Sequence, residues 1–144
     1  MDFNKFSFMI NETKAAPFVE YLSQGKIMAT RCVSCGSEFY PPQADCSDCL
    51  SQDMEWFECD KKGALVAFTQ IMVLPEYYAL PAPVVPFGKA RLTTSPVGLL
   101  EITERIRIMG WIPKVSVSDL HIGDAMTANV HELKDGRLTI VLEP

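Results

Sequence analysis

The sequence predicts a mainly β protein, built from an N-terminal helical segment, a zinc ribbon and a five-stranded OB-fold barrel. Three observations lead to this fold class. Two C-x-x-C cysteine pairs lie within residues 31–50, five strand-like runs fill most of residues 64–143, and a short amphipathic segment precedes both. We therefore expect three parts: the helical segment at 1–25, the ribbon at 26–58 and the OB-fold domain at 59–144.

Residues 13–25 predict a short helix. Thr13 suits the N-cap position and Pro17 suits an early turn, while Gly25 can end the helix in a left-handed conformation. Apolar residues with helical spacing form one face: Phe18, Tyr21 and Leu22. The ten residues at the start of the sequence are unusually apolar, and we expect them to pack on the rest of the chain or on a partner protein or ligand.

The four clustered cysteines predict a metal site. A C-x-x-C pair places two thiolates on one tight turn, or knuckle, and two knuckles joined by a hairpin supply the sulfur tetrahedron that zinc prefers. The pairs are Cys32 with Cys35 and Cys46 with Cys49. A glycine, Gly36, follows the first knuckle and can relieve the backbone there, whereas Leu50 stands in the equivalent place of the second. We predict a structural Zn²⁺ bound by all four cysteines.

Other chemistries fit the same spacing. Iron in a four-sulfur site, a redox-active C-x-x-C and two disulfides are the alternatives, and sequence does not separate zinc from iron. We expect zinc before iron, and disulfides least, because no export signal is visible and we place the chain in the reducing cytoplasm. The sequence contains no run of about 18 apolar residues, so we expect no membrane span. A site with four protein ligands has no open position for a substrate.

The remainder of the chain predicts five barrel strands, which we expect to be antiparallel. They are residues 64–74, 97–103, 105–112, 125–133 and 137–143. Asp135-Gly136 is a strong hairpin signal between the last two strands, and residues 117–124 predict a helical turn and a corner. Residues 75–88 contain four prolines, so we predict a long, stiffened loop there that cannot be a central strand.

Neither the fifth cysteine nor the histidines predict catalysis. Cys59 has acidic neighbours that raise the pKa of a thiol, so we expect a plain thiol. His121 and His131 lack the partners of a catalytic triad, and Glu101 and Glu104 are expected to point to different faces. We therefore expect that the chain is not an enzyme by itself.

The order of motifs points to a family. A short helix is followed by "RCVSCG", "FYPP", the second cysteine pair, a strand beginning "GALVAFT", and "DLHIGD" before the last two strands. This order resembles a prokaryotic family of rubredoxin-like zinc-ribbon plus OB-fold proteins, formerly classed as a domain of unknown function and associated with acyl-CoA metabolism. The resemblance covers the chain from about Phe18 to Glu143. It implies a metal site at Cys32, Cys35, Cys46 and Cys49.

The resemblance also implies a function. Members of the family look like partners of thiolases and related ketoacyl-CoA enzymes, with hydroxymethylglutaryl-CoA synthase in archaea or with acyl-CoA enzymes of steroid side-chain breakdown. It implies here a non-catalytic, acyl-CoA-binding accessory or scaffold protein of lipid metabolism, with a thiolase-like or hydroxymethylglutaryl-CoA synthase-like partner. This chain departs from the family where the second knuckle lacks a trailing glycine and where residues 102–105 contain none.

Charge separates this function from the alternative, a single-stranded nucleic-acid binder. The chain has 13 Lys and Arg against 18 Asp and Glu, so it lacks the strongly basic groove that such binders need, and we do not expect nucleic acid as a ligand. An acyl-CoA requires only a few cations and an apolar groove. The candidates for the phosphate end are Arg105, Arg107, Lys114 and Trp111, and those for the acyl arm are Tyr77 and Tyr78 with the apolar N-terminal residues.

Overall fold

Helix α1 spans Ala15–Ser23 in the computed structural model of this chain. The structure describes residues 14–70, 84–87, 91–94, 96–133 and 136–144, with 84–87 and 91–94 described by their backbone. The predicted Thr13 cap, the apolar N-terminal residues, Tyr77, Tyr78 and Asp135 lie outside these ranges. Within the described part of the chain, no helix has the length and apolarity needed to cross a bilayer.

The end of α1 is the left-handed glycine turn that the sequence predicted. Gly25 has a φ of 75°, and its N–H donates to the carbonyl of Leu22 at 2.8 Å, while the N–H of Lys26 donates to Tyr21 at 3.0 Å. These two bonds satisfy carbonyls that a helix otherwise leaves free at its end. At its other end the N-cap residue is Lys14, without a side-chain cap.

Ten strands follow α1 within the residues that the structure describes. In chain order they are β1 (Met28–Cys32), β2 (Glu38–Phe39), β3 (Met54–Glu58), β4 (Lys62–Gln70), β5 (Val84–Phe87), β6 (Arg91–Thr94), β7 (Pro96–Glu101), β8 (Arg107–Trp111), β9 (Ala125–Glu132) and β10 (Leu138–Glu143). The ribbon is an antiparallel sheet in the order β2-β1-β3. One face of α1 packs on the ribbon sheet. The rings of Tyr21 and Trp56 lie 5.4 Å apart, and those of Phe18 and Tyr40 lie 6.0 Å apart.

The predicted five-stranded barrel is confirmed. It is closed in the order β10-β8-β7-β4-β9, and the strands coincide with the five predicted runs to within a few residues. The expectation that every pair is antiparallel is wrong at one place, since β8 and β10 are parallel. The reason is topological: the β9–β10 hairpin brings β10 back beside β8, and this parallel contact closes the barrel.

A hairpin replaces part of the predicted loop at residues 75–88. Strands β5 and β6 form a separate two-stranded sheet, with Pro86 paired with Leu92. The prolines misled the prediction, because proline is excluded from central strands but tolerated where a strand has an unpaired side. For residues 84–87, the expectation that they do not form a central strand agrees with the structure.

The ribbon and the barrel share one apolar core. Ile27, Ala29 and Cys59, from around the ribbon strands, pack in the same cluster as barrel residues. The barrel side of this cluster consists of Leu65, Leu100, Ile106, Ile108, Ile112, Leu120, Met126, Ala128 and Leu142. The N–H of Cys59 also donates to the carbonyl of Ile27 at 2.8 Å. The division of the chain near residue 58 stays a prediction.

Candidate functional site

The four clustered cysteines converge on one point. Their sulfur atoms all lie within 4.8 Å of one another, and the Sγ atoms of Cys32 and Cys49, like those of Cys35 and Cys46, are 3.5 Å apart. Four sulfurs at about 2.3 Å from a tetrahedral zinc are separated by about 3.8 Å. The site therefore fits a metal of that size, and the cysteines are free thiols rather than disulfides.

The two knuckles repeat the same backbone geometry. The N–H of Gly36 donates to the carbonyl of Cys32 at 2.9 Å, and the N–H of Leu50 donates to Cys46 at the same distance. Gly36 has a φ of 76° and Leu50 a φ of 61°. The second knuckle thus requires a left-handed residue where the sequence has leucine, which confirms that it is the less favourable of the two.

Polar groups surround the exposed side of the metal site. Ser37 Oγ lies 3.3 Å from Sγ of Cys35. The Ser37 hydroxyl donates to Oδ2 of Asp48, and Arg105 donates to the same oxygen, both at 2.7 Å. These two bonds hold the pKa of the Asp48 carboxyl below its ordinary range.

Comparison with known proteins confirms the ribbon. Residues 19–55 match the family model described as "ChsH2, rubredoxin-like zinc ribbon domain". This segment is a rubredoxin-like zinc ribbon. A solved structure described as "Ltp2-ChsH2(DUF35) aldolase" has a chain of similar fold, with a TM-score of 0.72 and 22% sequence identity over 92% of this chain and 95% of that one. No curated protein matches the chain.

One expectation is corrected by this comparison. The sequence led us to expect that the chain is not an enzyme. The structural match contradicts that expectation. The chain shares its fold, along nearly its whole length, with a solved structure that is described as an aldolase, which is an enzyme.

The basic residues predicted to bind phosphates are ion-paired and do not form one cluster. Arg105 contacts Asp48 of the ribbon, and Arg107 contacts Glu101 across the β7–β8 hairpin, each at 2.7 Å. Lys114 contacts Glu143 at 2.6 Å. Arg105 and Arg107 are both exposed, while Ile106 and Ile108 are buried; Arg105 precedes β8.

Trp111, the remaining candidate on the barrel, lines an apolar groove. The groove has a volume of about 540 Å³ and continues into a hollow of about 250 Å³ through shared lining residues. Its lining comprises Leu22, Thr69, Val97, Met109, Gly110, Trp111, Leu138, Thr139 and Ile140. Volumes of this order suit small organic ligands.

The groove exists because the outward face of β7 and β8 is apolar. Val97 and Leu99 are half-buried on this face, and Met109 keeps 66% of its surface exposed. The sequence analysis missed this face, although the run "VGLLE" places apolar residues on both sides of a strand, whereas a barrel strand facing water alternates with polar residues.

Cys59 and the two histidines lie in different environments. Burial, with a smaller effect of the Glu38 and Glu58 carboxylates, raises the pKa of Cys59 to about 11. The predicted direction is therefore right, but burial is the larger cause. His121 and His131 are both exposed.

Proposed function

We propose that this chain is a zinc-containing subunit of an acyl-CoA-processing enzyme complex, in which it binds the acyl-CoA and pairs with a thiolase-like or hydroxymethylglutaryl-CoA synthase-like protein. The observation that carries the proposal is the shared fold, over 92% of the chain, with a solved structure described as an Ltp2-ChsH2 aldolase. The rubredoxin-like ribbon at residues 19–55 supports it.

We assign zinc to the four-cysteine site. The sulfur spacing and the buried positions of Cys32 and Cys46 support a closed, structural ion. When bound, zinc supplies the cross-link that a small ribbon needs in order to remain folded. The free state of all five cysteines supports a reducing compartment, for which we propose the cytoplasm.

We place the acyl arm of the thioester in the apolar groove beside Trp111. The groove supports this because most of its lining is aliphatic or aromatic, which favours a hydrocarbon chain over a charged ligand. The phosphates require cations, and Lys114, Arg105 and Arg107 are the candidates. Since each of these is ion-paired, a phosphate has to replace a carboxylate, and we expect such binding to weaken with salt.

Tryptophan fluorescence tests the ligand. The chain has two tryptophans, Trp56 and Trp111, so the Trp56→Phe variant reports on the groove alone and the matched Trp111→Phe variant reports on the ribbon. We expect acetoacetyl-CoA to change the Trp111 signal saturably and to leave the Trp56 signal unchanged. A response to a single-stranded oligonucleotide instead, or no response to either ligand, would contradict acyl-CoA binding.

Reconstitution tests the partner. A thiolase-like protein from the same source organism is purified with and without this chain, and the formation of one species is measured by light scattering. Carbon–carbon bond cleavage or formation on an acyl-CoA is then assayed for each protein alone and for the mixture. We expect the mixture to exceed the sum of the separate activities at least tenfold; separate species and additive rates would overturn the proposal.

A further inference from the structure

The second knuckle makes a side-chain contact with the barrel. Asp48 lies between Cys46 and Cys49 in the sequence, and its Oδ2 atom is 2.7 Å from Nη1 of Arg105. Arg105 belongs to residues 102–106, the turn that joins β7 to β8. A residue inside the metal-binding loop therefore contacts a turn that is 57 positions further along the chain.

The same carboxylate also joins the two knuckles. Oδ2 of Asp48 accepts the Ser37 hydroxyl hydrogen bond at 2.7 Å, and Ser37 Oγ is 3.3 Å from Sγ of Cys35. A continuous series of contacts thus runs from a metal-site sulfur through Ser37 and Asp48 to Arg105. The position of Asp48 depends on both knuckles, which a metal ion fixes relative to each other.

The turn that carries Arg105 has an ordered backbone of its own. The Thr103 hydroxyl accepts hydrogen bonds from the backbone N–H groups of Arg105 and Ile106, at 3.3 and 3.1 Å. The N–H of Ile102 donates to the carbonyl of Ile106 at 2.9 Å. Ile106, which follows Arg105 directly, is buried in the core, so the turn is anchored immediately before β8.

We propose that Ser37, Asp48 and Arg105 form a latch that couples occupancy of the four-cysteine site to the order of the β7–β8 turn. Metal binding positions Asp48 to pair with Arg105, and the pair in turn slows loss of the metal. Coupling between two equilibria is reciprocal, so the factor by which the latch strengthens metal binding equals the factor by which the metal stabilises the latched turn.

Charge supports the latch. The pKa of Arg105 is raised by its hydrogen bond to Asp48 and by the negative charge of that carboxylate. Four thiolates around a divalent ion leave a net negative charge, which the guanidinium partly offsets. Both members of the pair are partly exposed, at 57% for Arg105 and 42% for Asp48, so solvent screens the interaction. We expect an effect smaller than the roughly 10- to 100-fold loss typical of groups that support metal ligands.

Zinc transfer to a chromophoric chelator tests the latch in the full-length, zinc-loaded chain. We expect Asp48→Asn and Arg105→Gln each to accelerate transfer about three- to tenfold at low salt, with the double variant no faster than either single variant. The matched control is Glu101→Gln. It removes the carboxylate of the Arg107–Glu101 ion pair, whose atoms are also 2.7 Å apart. Arg105→Lys should restore part of the effect.

Hydrogen exchange provides the second measurement. Amides of residues 102–106 should exchange faster after zinc removal in the parent chain, and this zinc dependence should shrink in Arg105→Gln, which leaves the ribbon sequence untouched. A merely structural surface pair would not change exchange in a metal-dependent manner. The proposal is wrong if Asp48→Asn and Arg105→Gln transfer zinc at the same rate as Glu101→Gln. It is also wrong if removing zinc does not change the exchange rates of the turn amides. Neither result depends on acyl-CoA binding or on a partner enzyme.

Discussion

Gly98 of β7 is paired directly with Gly110 of β8 in the barrel wall. A Cβ atom on Gly98 would lie 2.6 Å from Cδ1 of Leu65 and 2.8 Å from Cδ1 of Ile112, both fully buried. We therefore expect Gly98→Ala to lower the free energy of unfolding by about 1–2 kcal/mol, because the strain of overpacking exceeds the entropy gained by removing a glycine. Denaturant unfolding of the zinc-loaded chain measures the change.

Making the same Gly98→Ala substitution in a Leu65→Ala protein identifies the cause of the lost stability. In Leu65→Ala the atom nearest to the added methyl group is absent, while Cδ1 of Ile112 remains close to it, so Gly98→Ala should cost less there than in the parent chain. An equal loss in both backgrounds would show that contact with Leu65 does not make glycine necessary.

The knuckles allow a paired test of backbone strain. Leu50 has a left-handed φ and a side chain that is 84% exposed, so Leu50→Gly removes strain with little loss of packing, and we expect a gain of about 0.5–1 kcal/mol. Gly36→Ala introduces the same strain at the equivalent position, where a Cβ would meet nothing within 4 Å, and we expect a loss of about 1 kcal/mol. Unfolding at constant free zinc should give opposite signs; a loss for both variants would refute the strain argument.

Metal analysis tests the four-cysteine site. Elemental analysis of the purified chain should find one zinc per chain, and Cys46→Ser should reduce this to near zero because a buried ligand is lost. Chelation should also change the Trp56 fluorescence, since that ring packs against Tyr21 beside the ribbon. The control, Cys59→Ala, should retain the metal. Iron in place of zinc would correct the metal assignment, and absence of any metal would remove it.

Alkaline pH tests the environment of Cys59. Its pKa is raised from 9.0 to about 11 by burial and by the Glu38 and Glu58 carboxylates. Because the folded pKa exceeds the unfolded one, the stabilising contribution is complete below pH 9 and is lost as the pH rises towards about 11. Urea unfolding between pH 7.5 and about 10.5 should show a steeper loss of stability for the parent chain than for Cys59→Ala. Parallel curves would show that the thiol ionises equally in both states.

Local patterns were sufficient to predict most of the fold. The knuckles, the glycine end of α1 and the five barrel strands follow from residue spacing and side-chain period, which depend on neighbouring residues. The β5–β6 hairpin was missed because Pro86 argues against a central strand but not against an exposed one. The Asp48–Arg105 contact could not be predicted, since only the tertiary fold brings those two residues together.

The surroundings of the candidate ligand residues could not be predicted, for the same reason. Arg105, Arg107 and Lys114 were selected as cations, but whether a cation is available depends on partners such as Glu101 and Glu143. The apolar groove combines Leu22 of the helix with residues of four barrel strands. Such a surface arises from elements that are distant in sequence, so no single motif indicates it.

The parallel contact between β8 and β10 gives the barrel a seam. Val141 and Trp111 are the one register pair that joins these strands, whereas β9 and β10 share six. Thermal opening of the cylinder should therefore begin along this line, ahead of the long hairpin. Trp111 of β8 and Ile140 of β10 both border the groove. A molecule bound there would contact both strands of the seam, so its binding should raise the temperature at which the cylinder opens.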